Sequence, residues 1–85
     1  MTRTKGVSPR FAICIDNSEY PVALELHKLY RVVPDEEAVL DGDLRIIDES
    51  GSDYLYPAAY FILVDFPPDT TRALDRAYQR TIQLA

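Results

Sequence analysis

Residues 48–61 read DESGSDYLYPAAYF, an acidic run around a glycine that leads into three tyrosines and a proline. Glu49-Ser50-Gly51-Ser52-Asp53 concentrates residues that favour tight reversals, so it reads as a solvated hairpin turn. Tyr54-Leu55-Tyr56 is then the returning strand. Pro57 lacks the amide hydrogen that a ladder needs and should end that strand. Phe61-Ile62-Leu63-Val64 supplies one more short aromatic and β-branched run.

Upstream, Leu44-Arg45-Ile46-Ile47 forms the first arm of the hairpin. Phe11-Ala12-Ile13-Cys14-Ile15 is a strand by composition, with Phe11, Ile13 and Ile15 on one face at period two. The turn residues Asp16-Asn17-Ser18 close it. From Val22 to Val33 the pattern breaks phase: Leu24 and Leu26 alternate, then Tyr30 and Val32, with His27-Lys28 between them. That pattern predicts an extended stretch, a sharp turn or bulge, and a second strand. Pro34-Asp35-Glu36-Glu37 and Asp41-Gly42-Asp43 bracket a polar connection.

After Pro67-Pro68 the period changes. Leu74, Tyr78 and Ile82 lie four residues apart, while Arg72, Arg76 and Arg80 fall on another face. This is an amphipathic helix running to the chain end, with Asp69 as its expected N-cap. Five short strands followed by a helix make the chain mainly β, a small five-stranded antiparallel barrel with a C-terminal α-helix. Three regions follow: a flexible basic N-terminal arm (1–10), the barrel (11–66) and the helix (67–85).

At 85 residues the chain supports one domain. Its 47% hydrophobic and 27% charged residues suit a soluble globular fold. The single cysteine, Cys14, excludes an internal disulfide and multi-thiolate zinc sites, and favours a reducing compartment. No apolar run approaches a bilayer span, and the basic start is followed by too few apolar residues for a signal peptide, so the expected location is the cytoplasm. Residues 1–10 carry a charge of +3, residues 11–65 carry three basic and twelve acidic side chains, and residues 66–85 carry +1. An acidic body repels phosphate backbones and argues against nucleic acid as a partner.

The hairpin, its returning strand and Pro57-Ala58-Ala59-Tyr60 resemble the closing corner of SH3 domains of the spectrin type. The chain is also similar to small SH3-like proteins of bacteria. In that family a Pro-x-x-Tyr 3₁₀ turn precedes the last strand, which Phe61-Ile62-Leu63-Val64-Asp65 resembles. The resemblance implies that Val22–Val33 holds the diverging turn, with His27 where a glycine is usual; a positive φ there would strain His27. It also implies a peptide groove of stacked aromatics with acidic support. Pro57 and Tyr60 match groove positions, Asp16 and Glu19 match the acidic support, Leu44 stands in place of the groove tryptophan, and Cys14 replaces a tyrosine. The barrel interior is expected to hold Tyr56 and Phe61.

Catalytic chemistry finds no constellation here. His27 has no nucleophile near it in sequence, Cys14 lies mid-strand, and three glycines form no phosphate loop. An EF-hand register through Asp41-Gly42-Asp43 places Val39 at a ligand position, so no metal is expected, and no cofactor. Tyr54, alternating with Leu55, is expected to point outward and to form an exposed patch with Leu44, Pro57 and Tyr60, the kind of surface that binds a protein partner. Leu74, Tyr78 and Ile82 form the helix interface, toward either the barrel or a partner. The expected role is a non-catalytic protein-interaction or regulatory module, monomeric or weakly dimeric. The alternatives are a nucleic-acid-associated barrel using its basic arm and helix arginines, or a small subunit docking through its helix.

Overall fold

The computed structural model describes residues 10–84, with side chains placed through Arg80. All but the last residue of the expected N-terminal arm, and the Ile82 side chain, lie outside the described residues. The elements are β1 (Arg10–Cys14), β2 (Leu29–Val33), α1 (Glu36–Leu40), β3 (Asp43–Ile47), β4 (Asp53–Pro57), a 3₁₀ turn (Ala58–Tyr60), β5 (Phe61–Val64) and α2 (Pro68–Leu84).

The five strands form one antiparallel sheet in the order β4-β3-β2-β1-β5. Its two edges, β4 and β5, follow each other in sequence. They are joined by the 3₁₀ turn, whose Ala58 amide donates to the Gly42 carbonyl and whose Tyr60 carbonyl accepts from the Ile15 amide. Pro57 ends β4 as expected, since it cannot donate onward.

Alternation sends Ala12, Cys14, Tyr30, Val32, Leu44, Ile46, Tyr56 and Phe61 into one buried cluster, closed by Tyr60 and by Leu24 from the long loop before β2. The opposite face of β1 and β2 carries Phe11 and Arg31, and α2 lies over it. Phe11 contacts Tyr78 at 5.6 Å and Phe66 at 6.1 Å between ring centroids. Arg31 pairs with Asp75 at 2.9 Å, and the Tyr78 hydroxyl donates to the Leu29 carbonyl. The middle of the sheet is therefore covered on both sides, a layered solution to the small core available at this length.

Three expectations need correction. Residues 36–40 form α1 instead of a polar connection: Asp35 caps it by accepting the Ala38 amide at 3.0 Å, Glu36 and Glu37 occupy the first turn, and Ala38 is buried. The extended stretch before His27 forms turns, with Leu24 dropped into the core. The C-terminal helix begins at Pro68, whose fixed φ and missing amide suit a first helical position. Asp69 therefore sits inside the first turn, paired with Arg72.

His27 has φ +67°, the left-handed conformation expected from the diverging turn, and its amide donates to the Cys14 carbonyl at 2.7 Å. His27→Gly should remove Cβ strain at the cost of added chain entropy and stabilise the fold by up to about 1 kcal/mol, whereas His27→Val should destabilise it. Urea denaturation of the two variants, with opposite shifts in midpoint, checks this.

Candidate functional site

The most elaborate side-chain arrangement runs along the end of the sheet where the loop between β1 and β2 meets the β3–β4 hairpin. Tyr20, within that loop, sets its ring edge-on to Tyr56 at 5.0 Å and to Tyr60 at 6.1 Å. Tyr54 continues the row, 6.1 Å from Tyr56. Four phenol rings thus form one strip. Tyr54 is 66% exposed and Tyr20 39%; Tyr56, between them, and Tyr60, beyond Tyr20, are buried.

The buried rings are held by carboxylates. The Tyr56 hydroxyl donates to Asp48 at 2.6 Å, and the Tyr60 hydroxyl donates to Glu19 at 2.7 Å. Tyr30, deeper in the core, donates to Glu49 and accepts the Glu25 amide at 2.8 Å. Lys28 completes that corner by pairing with Glu49 at 2.7 Å, and the Glu49 amide donates to the Ala23 carbonyl. Loop, hairpin and core are tied at one junction.

Asp48 is only 8% exposed. Burial by itself would raise its pKa, but the Ser50 and Tyr56 donors outweigh burial and hold the carboxyl below its ordinary range. The acidic turn is therefore not wholly solvated, as its composition suggests; its first carboxylate points inward, and Gly51 at φ +84° lets the chain reverse around it. The Lys28 ammonium and the Tyr30 hydroxyl depress Glu49 likewise. Burial and the facing carboxylates push the Tyr30 and Tyr56 phenols up.

The expected exposed patch is rearranged. Tyr54 shares the face of Tyr56, as period two requires, and is open to water because it stands at the hairpin end of β4; Leu55 points to the other face. Leu44 is not an exposed member: it pairs with Tyr56 across the hairpin and is 7% exposed, because its β3 position faces the core. Pro57 is half-buried at the end of β4, on the face opposite the strip and beside the Tyr60 turn. Glu19, expected as acidic support, orients Tyr60, whereas Asp16 turns back to accept the Ser18 amide. Tyr20 escaped sequence reasoning because it lies in an irregular turn; its one signal is an aromatic residue directly before Pro21 in a polar loop.

On α2, Tyr78 packs against the chain's own sheet and Leu74 is half-buried. Cys14 is buried, its thiol donates to the Asp16 carbonyl at 3.4 Å, and burial raises its pKa, the opposite of an activated nucleophile. Among the described residues, no helix is long and apolar enough to cross a membrane. No protein-family model, curated protein or solved structure matches the chain.

The depressed carboxyls make stability pH-dependent. Unfolded Asp and Glu titrate near about 3.9 and 4.3, and the folded values of Asp48 and Glu49 lie lower. Their contribution is complete above the unfolded range and is lost as pH falls through it toward the folded values. Asp48→Asn should cost about 1–2 kcal/mol at pH 7 and flatten the acid limb between roughly pH 5 and 2. Urea unfolding of both proteins across that range tests this; an unchanged acid slope would count against the Asp48 anchor.

Proposed function

We propose that the chain is a non-catalytic protein-interaction module on a partly open SH3-like barrel, and that the aromatic strip is its binding face. The fold reading is supported by the meander order ending in β5 beside β1 and by the 3₁₀ turn between the last two strands. The functional reading rests on one observation: a row of four tyrosines in the order Tyr54, Tyr56, Tyr20, Tyr60, in which the exposed rings Tyr54 and Tyr20 alternate with two rings fixed by carboxylates. Rigid phenols present large apolar faces at little entropic cost, which suits them to stacking on an extended chain. Glu19 beside the strip adds negative charge. The partner class is therefore an extended, proline-bearing peptide with a basic residue. Without a tryptophan in the groove, affinity should be modest.

Titrating ¹⁵N-labelled protein with the peptide Ac-RPLPPLPRPP-NH₂ tests this. Saturable shifts should cluster around Tyr20, Tyr54 and Tyr60. Tyr54→Ala, at an exposed position, should weaken binding by about 5- to 30-fold, equivalent to about 1–2 kcal/mol. No saturable shift at millimolar peptide, or equal affinity in Tyr54→Ala and Tyr20→Ala, would overturn the proposal.

A further inference from the structure

A second surface carries a different chemistry. Between α1, the ends of β2 and β3, and the edge strand β5 lies a groove of about 710 Å³ that none of the tyrosines lines. Its floor is apolar, formed by Val32, Leu44, Phe61 and Leu63. Its lip is formed by Val39 and Leu40 of α1, with Leu40 85% exposed. A five-residue helix that buries Ala38 while leaving two large aliphatic side chains exposed beside an apolar floor is, among the described residues, an unfilled hydrophobic site.

The charges around it are one-sided. Asp35, Glu36 and Asp43 line the groove, with Glu37 on the same helix and Asp41 at its C-cap. Among the described residues, two cations also line it. Arg45 is neutralised by Asp35 at 2.8 Å and Asp53 at 2.9 Å, which leaves Arg10 against the remaining carboxylates. Gathered on one short helix and the groove beside it, these acidic groups act together on an approaching cation.

We infer that this groove is a second docking site, for a short peptide segment carrying large aliphatic side chains flanked by lysine or arginine. The apolar floor takes the aliphatic side chains, and the acidic lip selects the flanking cations. Electrostatics here favours encounter and rejects acidic segments, while burial of the leucines holds the complex. The site does not depend on the aromatic strip: the two surfaces share no lining tyrosine and select different side chains.

The test uses the full chain and three matched peptides, Ac-KRLLKR-NH₂, Ac-EELLEE-NH₂ and Ac-KRSSKR-NH₂, followed by amide and methyl shifts. The basic leucine peptide should shift Leu40, Leu63 and Leu44 saturably, and the other two should bind at least tenfold more weakly. Leu40→Ser, at a residue already in water, should weaken binding at least fivefold, and Glu36→Lys should weaken it and increase tolerance of the acidic peptide. Equal binding of the serine or acidic peptide, shifts confined to Tyr20 and Tyr54, or no binding at 1 mM (~4 kcal/mol) would overturn the inference. It would equally be overturned if binding required Arg3→Glu and Lys5→Glu, which would make the chain's own N-terminal segment the occupant. Groove shifts that grow with protein concentration alone would assign the groove to a second copy.

Discussion

A tyrosine ring can fill a small core only if its hydroxyl finds a partner, because an unpaired buried polar group costs about 1–3 kcal/mol. This constraint organises the structure. Tyr30, Tyr56 and Tyr60 fill the space between the strands and the loop, and each ends on a carboxylate: Glu49, Asp48 and Glu19 respectively. The partners come from the hairpin turn and from the loop before β2, so filling the core also fixes those two segments. Tyr30 is the most connected of the three, joining β2 to the hairpin through Glu49 and to the loop through the Glu25 amide.

The same anchors shape the surface. Because Asp48 and Glu19 hold Tyr56 and Tyr60, the rings present fixed edges against which Tyr20 packs, and the loop carrying Tyr20 is itself held by Tyr30. Tyr20 is therefore held between two rings that carboxylates fix in place. On the other side of the sheet, α2 covers β1 and β2 through Phe11, Tyr78 and the Arg31–Asp75 pair. That helix completes the second layer and leaves β5 and α1 to border the apolar groove.

Much of this was legible in the sequence. The five strands, the end of β4 at Pro57 and the closing helix follow from local chemistry: alternation, proline's missing donor and a change of period. The Pro57–Tyr60 3₁₀ turn and the left-handed His27 are expected only from the resemblance to SH3 domains. Interior roles for Tyr56 and Phe61 are expected from the same resemblance, since alternation alone puts Tyr54 and Tyr56 on one face. What was not legible depends on distance in sequence. A five-residue helix shows no periodicity, so only the Asp35 cap and two glutamates could have signalled α1. Asp48 looks like any acidic turn residue until Tyr56 arrives over it. Tyr20 joins the strip only because the loop folds back, and Leu44 leaves it because β3 faces inward.

The Tyr30 junction is the most direct point at which to test this picture. Hydrogen exchange should be measured amide by amide on the intact protein and on Tyr30→Phe, which keeps the ring and removes the hydroxyl. If carboxylate-anchored phenols hold the loop, exchange at Leu24, Glu25 and His27 should accelerate together with Glu49, by about 10-fold or more per ~1.4 kcal/mol lost locally, while the centre of β3 keeps its protection. Unchanged exchange in the loop and at Glu49 would contradict it, showing that apolar packing alone holds the junction.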